Sequence, residues 1–425
     1  MNQPFPNKIG STHTQDKTTK SRFLQRWHEY RQMLVLMDPW ILGTVLILLI
    51  ISCFLIFSAS FNSSPLTVLF KQLMAIIVGI LMSVCLMFFP QKLYRSVFWQ
   101  NVALTLLVIM IFYATYFGHE AGGASSWIDL GFFNLQPSEL LKIMTLLLLA
   151  RLSVEFKRTY LLKYEKSVFW RGYYSILLWG LSIFLITRQP DFGTALIIFL
   201  VFIGVLAIYH APYQKNIKWA LVFLGFYLFA YWFLDHFSDQ LIKLNGHIFQ
   251  RLGSFTNPFR YQLEDGFQVV KSYQAFANGG LFGKGLGQGT VKLVLPAAHT
   301  DFILAVAAEE FGFVGVSVIT GLLFFLMAYL LRLSATLTIR FNRVFVSGVA
   351  LLIFIQSMIN IGGLTGLIPL TGVTLPFISS GGTSIITNLL LVALVQKFYV
   401  EERYQRLKAR QGDNRFYIGG IKRDL

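Results

Sequence analysis

Apolar runs of about 20 residues recur along most of this chain, and they limit its possible folds more than any other feature. A run of this length can cross the hydrocarbon core of a bilayer, where its backbone can be satisfied only by forming a helix or a closed barrel. The alternating segments of about ten residues that mark a strand barrel do not occur in the sequence. Hydrophobic residues make up 55% of the chain and charged residues 13%, about half the charged fraction of a soluble protein. The sequence therefore predicts an all-α, polytopic membrane protein.

The apolar runs predict a bundle of about ten transmembrane helices with a long extracytoplasmic loop, about 236–301, before the eighth helix. Residues 39–398 form the predicted membrane domain. A basic tail, 1–38, precedes it and is predicted to be disordered, and a second basic tail, 399–425, follows it. The predicted spans are 40–60, 66–89, 97–117, 137–154, 173–187, 191–210, 215–235, 302–331, 344–364 and 379–397.

The distribution of Lys and Arg predicts the orientation of the chain. They are concentrated in both tails and in every second loop, whereas the short loops on the other side carry only Arg188. The positive-inside rule therefore places both termini in the cytoplasm, and the long loop is exempt from the rule. The net charge of +16 is explained by topology and by contact with anionic membrane lipids. Nucleic-acid binding is not indicated, because no basic run is interleaved with exposed aromatic residues.

The sequence offers few signals for a cofactor. The two cysteines, Cys53 and Cys85, lie in the first two predicted spans, so an external disulfide framework is not expected. No Cys or His spacing predicts a zinc site. No glycine pattern of the Walker or Rossmann type predicts a nucleotide site.

Polar residues gather at the predicted outer ends of the helices, where they are candidates for function because charges in a membrane protein are costly. The richest stretch, 295–302, opens the eighth span and contains Asp301. Helical spacing from Asp301 places Glu309 near the same pocket and turns Glu310 away from it. Asp301 could be a catalytic carboxylate, or it could cap the helix N-terminus together with Thr300.

Two further segments contain many residues that favour irregular backbone. The glycine-rich stretch 278–287 could bind phosphate through backbone N–H groups, or it could be a bent surface loop. Prolines, glycines and hydroxyl residues are dense over 360–384. That density predicts non-helical backbone lining a cavity, with a small-residue packing interface as the alternative.

Charged residues also open two other predicted spans. Glu139 and Lys142 are three residues apart and can pair on one helix face. We expect this pair to be mainly structural, because it would hold the bundle together. Arg188 and Asp191 flank a turn and are interpreted as a structural pair in the same way.

Four linked motifs resemble the SEDS family, named for shape, elongation, division and sporulation. The resemblance covers about 40–400 in the family's order, and it is closer to the division-type branch than to the elongation-type branch. The motifs are HTDF at 299–302 with EEFG at 309–312, QPSELLK at 136–142, QPDFGTAL at 189–196, and LTGLIPLTGVTLPFISSGGTS at 364–384.

The resemblance implies a peptidoglycan glycosyltransferase in the bacterial cytoplasmic membrane that acts during cell division or elongation. Such proteins polymerise lipid II, the undecaprenyl-pyrophosphate-linked disaccharide-pentapeptide, on the outer face of the membrane. They work with a class B penicillin-binding protein, a transpeptidase. The alternatives are a flippase or transporter for lipid-linked precursors, and a scaffold that only recruits the transpeptidase. Transporters often contain inverted repeats and helices broken at the midplane. In this sequence no repeat is visible and the predicted breaks cluster at the outer ends of the helices. The enzyme is therefore favoured over the transporter.

The resemblance also implies roles for individual residues. The family's essential aspartate matches Asp301, which could act as a general base. The departing pyrophosphate would be stabilised by Lys, Arg or a divalent ion such as Mg²⁺ or Mn²⁺. Ala297 stands where the family usually has an acidic residue, and Ser380 stands where it usually has Tyr. The residues expected to contact the substrate are His299, Thr300, Lys292, Glu309, Ser379, Gly381, Gly382 and Ser384.

Overall fold

The computed structural model describes most of the chain, and the statements below concern those residues. The N-terminal tail up to residue 34, much of the long loop and Ala297 lie outside them. The described residues are 35–61, 64–121, 124–129, 131, 134–162, 166–210, 213–237, 240, 255–261, 266–296, 298–410, 417–418 and 421–422.

The described part of the chain is mostly helical, which confirms the predicted fold class. Ten long helices coincide with the ten predicted spans, and two shorter helices, α3 and α9, lie between them. Seven of the long helices are long and apolar enough to cross a membrane, and the total of ten crossings stays a prediction. The helices are α1 (Pro39–Ala59), α2 (Pro65–Phe88), α3 (Gln91–Arg95), α4 (Val97–Phe117), α5 (Pro137–Leu162), α6 (Lys166–Arg188), α7 (Phe192–His210), α8 (Tyr213–His236), α9 (Phe267–Gly279), α10 (Ile303–Thr336), α11 (Arg340–Leu364) and α12 (Gly382–Arg410).

Proline marks the start of three long helices: Pro39 in α1, Pro65 in α2 and Pro137 in α5. Its fixed φ suits the first helical turn, where a backbone N–H would have no helical partner. Helices α4 to α7 share an apolar core in which residues such as Leu104, Leu148 and Ile186 are buried. Helix α11 packs against α10, α5 and α7. The bundle therefore places the beginning of α10 next to the end of α11.

Small elements occur where the sequence predicted only loops. Strands β1 (His119–Ala121), β2 (Ala124–Asp129) and β3 (Asn134–Leu135) form an antiparallel sheet before α5. In this sheet Ile128 pairs with Leu135. Helix α9 and a 3-10 turn (Val291–Leu293) lie within the long loop. The all-α prediction therefore holds for the bundle but missed this local sheet.

Helix α10 is interrupted at Gly312, whose φ of 67° and ψ of −167° are not helical. A break of this kind frees backbone groups that need other partners. The glycine-rich loop 280–285 supplies them: Lys284 N donates to Glu309 O (3.0 Å), Gly285 N to Glu310 O (2.9 Å), Phe313 N to Gly280 O (2.9 Å) and Val314 N to Leu281 O (3.1 Å). The loop is thus fixed on α10. The backbone N–H groups of Lys284 and Gly285 are engaged in these bonds and are not available to phosphate.

The start of α10 bears on the alternative that Asp301 caps this helix. The helix begins at Ile303, and Phe302 occupies the N-cap position. Asp301 therefore precedes the N-cap residue by one position, and capping by its side chain stays a prediction.

Contacts divide the chain into two units, residues 40–395 and a smaller unit of residues 1–39 with 396–425. In the smaller unit, Asp38 N donates to Gln396 Oε1, and Gln396 Nε2 donates to Asp38 O, each at 2.9 Å. A two-stranded ladder joins β4 (Tyr417–Ile418) to β5 (Ile421–Lys422).

Candidate functional site

Hydrogen bonds connect three of the sequence motifs at the predicted outer end of the bundle. The backbone N–H of Gln136 donates to Thr383 Oγ1 at 3.0 Å, and Thr383 donates to the carbonyl of Asn134 at 2.8 Å. Gln136 Nε2 donates to Asp191 Oδ2 at 2.8 Å. Ser138 Oγ donates to the same carboxylate oxygen at 3.3 Å. The starts of α5, α7 and α12 are therefore held together by polar side chains.

The segment 371–373 contacts both the start of α7 and the fourth motif, which contains Asp301. A Cβ atom added at Gly193 would lie 2.6 Å from the carbonyl oxygen of Thr371, so the segment passes close to the start of α7. A Cβ atom added at Gly372 would lie 3.5 Å from Asp301 Oδ2. Gly372 has a φ of +69°, a conformation that glycine adopts without a steric cost. The Asp301 carboxylate therefore faces a residue without a side chain.

The backbone around Asp301 is tied to the same irregular segment. Three successive carbonyl groups, those of residues 299–301, accept hydrogen bonds: two come from this segment and one from Asn360 near the end of α11. Asn360 Nδ2 donates to Asp301 O at 2.8 Å. The two preceding carbonyls accept from Ser379 Oγ at 2.7 Å and from the backbone N–H of Ser380 at 2.9 Å.

His299 lies two residues before the candidate catalytic carboxylate and is half-buried. Burial lowers the pKa of its imidazole below the usual value, because the charged form loses hydration. The side chain is therefore neutral at pH 7 and can both donate and accept a hydrogen bond. Substrate contacts for His299 and Thr300 stay predictions.

A buried polar network leads from α5 to the irregular segment. Lys142 Nζ donates to Glu139 Oε1 at 2.6 Å, so the predicted ion pair is present. The same ammonium donates to Gln356 Oε1 at 3.2 Å, and Gln356 Nε2 donates to the carbonyl of Thr374 at 2.9 Å. The hydroxyl of Thr374 lies 3.1 Å from that of Ser384. Ser384, a predicted substrate contact, is thus linked to the Lys142 network.

The predicted pairing of Arg188 with Asp191 is wrong, since no such ion pair is present between these two described residues. The Arg188 guanidinium lies over the Phe184 ring, 5.2 Å from its centroid. Asp191 Oδ1 accepts from the backbone N–H of Thr194 at 3.2 Å. The carboxylate thus binds an N–H group of the first turn of α7, and its other oxygen binds Gln136.

Lys292 lies in a buried ion pair with Glu310. The two side chains are 2% and 0% exposed, and their charged atoms are 2.6 Å apart. Lys292 also donates to Ser58 Oγ on α1 at 2.7 Å. Glu310 is thus paired with Lys292, and a substrate contact for Lys292 stays a prediction.

Glu309 binds the loop before α10. Its carboxylate lies 2.8 Å from Lys284 Nζ, and Oε2 accepts from the backbone N–H of Val291 at 2.9 Å. Helical spacing from Asp301 does not apply to Glu309, because α10 begins only at Ile303. A shared pocket and a substrate contact for Glu309 stay predictions.

The remaining predicted contacts lie at the start of α12. Gly382 is its first residue and Gly381 precedes it. The Ser379 hydroxyl is buried; besides donating to Thr300, it accepts from the backbone N–H of Leu375 at 2.8 Å. Ala297 lies outside the described residues, so its departure from the family pattern has no structural account.

No individual role was predicted for Asn360, Gln356 or Thr383, which the structure places within the polar networks. A usable signal was present in the sequence. Amide side chains inside an apolar span are costly unless they bind something, and Gln356 and Asn360 stand in the ninth predicted span.

The fold and this site define a multi-pass membrane protein with a polar site where four motifs meet. The model of the FtsW, RodA and SpoVE family, described as cell cycle proteins, matches residues 32–404. The chain belongs to this family, which confirms the resemblance seen in its motifs.

Individual relatives agree with this assignment. The chain is 34% identical over 343 residues to a probable peptidoglycan glycosyltransferase FtsW of Bacillus subtilis, covering 80% of this chain and 83% of the relative. It is 31% identical over 375 residues to the protein of the same name in Coxiella burnetii, covering 86% and 96%.

Solved structures share the fold. A chain of a peptidoglycan synthase complex matches with a TM-score of 0.65 and 26% identity, covering 86% of this chain and 98% of that one. The rod shape determining protein RodA of Thermus thermophilus matches with a TM-score of 0.59 and 25% identity, covering 86% and 97%.

Proposed function

We propose that this protein is a peptidoglycan glycosyltransferase that polymerises lipid II on the outer face of the bacterial cytoplasmic membrane. The observation that carries the proposal is that the motif at 364–384 holds the backbone next to Asp301 and faces its carboxylate, while it also contacts the motifs at 136–142 and 189–196. The names of the FtsW relatives support the reaction. Similarity to FtsW favours cell division as the process in which the protein acts.

In the proposed reaction, Asp301 is the general base. Its carboxylate accepts the proton of the acceptor sugar hydroxyl as the oxygen attacks the anomeric carbon of the donor. The bond from that carbon to the pyrophosphate breaks, and the lipid pyrophosphate leaves with the electron pair. A single displacement inverts the anomeric centre, because no covalent sugar–enzyme intermediate is formed.

Charge on the leaving pyrophosphate needs a positive partner. The amino groups of Lys284 and Lys292 are engaged with Glu309 and Glu310. Among the described residues, no group of three His, Cys, Asp or Glu side chains could hold a metal ion. Participation of Mg²⁺ or Mn²⁺ in the reaction stays a prediction.

A class B penicillin-binding transpeptidase is the proposed partner. The matched chain of a peptidoglycan synthase complex supports a partner of this kind. Both termini are proposed to be cytoplasmic, on the basis of the distribution of Lys and Arg.

The test is polymerisation of lipid II by the purified protein, with and without the transpeptidase. We expect Asp301→Asn to fold normally and to lose nearly all polymer, because an amide cannot accept the proton. Asp301→Glu should retain little activity, since it moves the carboxylate by about one methylene group. The control is Asp129→Asn, which changes an exposed carboxylate in the small sheet.

A well-folded Asp301→Asn protein that still makes glycan chains would overturn the catalytic role. Wild-type protein that moves lipid II across vesicle membranes but makes no polymer would favour the transporter alternative.

A further inference from the structure

We infer that Asn360 is a positioning residue for the general base, assisted by Ser379. The inference rests on the proposed function, because it assumes that the Asp301 carboxylate takes part in the reaction. The hydrogen bonds of both side chains go to backbone atoms. Both residues therefore act through the backbone that carries the carboxylate.

Asn360 joins two pieces of backbone at the site. Its Nδ2 donates to Asp301 O at 2.8 Å and to Val373 O at 2.7 Å. Both neighbours are carbonyl oxygens, so the amino group of the amide must face them. Val373 follows Gly372, which faces the carboxylate. The Asn360 amide therefore sets the distance between Asp301 and the backbone at Gly372.

Ser379 fixes the residue before the base. Its hydroxyl donates to Thr300 O at 2.7 Å and accepts from the backbone N–H of Leu375 at 2.8 Å. With the bond from Ser380 N to His299 O, the irregular segment holds two consecutive carbonyls, and Asn360 on α11 holds the third.

The position of Asp301 in the chain explains why such bonds are needed. The first helical hydrogen bonds of α10 are accepted by Phe302 O, so Asp301 precedes the helical ladder. A misplacement of about 1 Å can lower an enzymatic rate about 100-fold. Asn360 and Ser379 thus restrain a residue that the helix itself does not fix.

The oxygen of the Asn360 amide makes a sharp test possible. Asn360 is 5% exposed, and its Oδ1 has no hydrogen-bond partner among the described residues. Only its donors are used. Asn360→Asp keeps the shape but replaces both donors with an acceptor, and Asn360→Leu removes the polar atoms at similar volume.

The measurements are kcat and KM for lipid II polymerisation, with thermal unfolding of each purified variant. We expect kcat to fall about 10- to 100-fold in both Asn360 variants, with KM changed less than about twofold because substrate contacts are kept. Ser379→Ala should lower kcat in the same way, because the bonds to Thr300 O and Leu375 N–H are lost.

The matched control is Asn342→Leu, near the opposite end of the same helix. Asn342 is also buried, and its Oδ1 accepts from Arg95 Nη2 at 3.0 Å. This variant should lower the unfolding temperature without a comparable loss of kcat. A loss of kcat at Asn360 alone separates positioning from general destabilisation.

Each outcome has a defined meaning. Asn360→Leu with wild-type kcat overturns the inference, as does a rise in KM at constant kcat. If that variant does not fold, Asn360→Asp and Ser379→Ala decide, and wild-type kcat in both overturns the inference. A wild-type protein that makes no polymer contradicts the proposed function instead.

Discussion

The Lys142 ammonium lies in the interior of the bundle and is held by two oxygen atoms. The residue is 3% exposed, and its partners are Glu139 and Gln356. Taking a charge out of water is costly, so a buried pair of this kind is sensitive to the loss of one member. It also connects α5 to α11, the helix that carries Asn360.

Neutralising one member of this pair should destabilise the protein. We expect Glu139→Gln or Lys142→Met to lower the free energy of unfolding by about 3–5 kcal/mol, because the remaining charge is buried without a counterion. The double variant should recover part of that loss. Thermal unfolding in detergent measures both effects. A Lys142→Met protein of normal stability that makes no polymer would instead identify Lys142 as a substrate contact.

At the scale of helices, the break in α10 allows the glycine-rich loop to form hydrogen bonds with the backbone of residues 309–314. Its geometry depends on Gly312, where an added Cβ would collide with the backbone of Leu281 and Gly283. The conformation lies in a region of φ and ψ that essentially only glycine adopts.

Gly312→Ala should therefore destabilise this part of the molecule. Backbone strain alone costs about 1–3 kcal/mol, and the collision adds to it. We expect a lower unfolding temperature and faster hydrogen exchange in residues 280–285. The control is Gly321→Ala on the same helix, where an added Cβ meets nothing within 4 Å. Equal stability of the Gly312 and Gly321 variants would contradict this account.

We predict that the membrane helix of the transpeptidase partner docks in a groove between α10 and α11. Its lining is apolar apart from two hydroxyl residues, so packing there needs no charge. The lining residues are Thr320, Leu323, Phe324, Met327, Ile353, Phe354, Ser357 and Ile361.

Bulky side chains in the groove should block that partner. We expect Thr320→Phe and Ile361→Trp to reduce co-purification of the transpeptidase at least about tenfold, because packing is lost across the helix contact. Ile109→Trp, an exposed position on α4, is the control. Unchanged co-purification in both groove variants would place the partner elsewhere.

The orientation of the whole molecule is predicted from its charge distribution. In a cysteine-free background, Asp129→Cys should be labelled from outside intact cells by a membrane-impermeant maleimide. Lys92→Cys, in the short helix α3, should be labelled only after the cells are opened. Labelling of Lys92→Cys from outside would reverse the proposed topology.

The sequence by itself determined the helical architecture of the protein. An apolar run in a bilayer must satisfy its own backbone whatever its neighbours are, so the ten predicted spans coincide with the ten long helices. The Glu139–Lys142 pair was predictable for a similar reason, because three residues along a helix fix the distance between two side chains.

Only the tertiary structure decided which polar groups meet. Glu309 binds Lys284 of the glycine-rich loop, and Arg188 lies over Phe184 rather than pairing with Asp191. Asn360 and Asp301 are 59 residues apart in sequence, and no helical or strand periodicity relates two such positions. Their contact depends on how α10 and α11 pack and on the irregular backbone after α11, which is specified by many distant interactions together rather than by a local pattern.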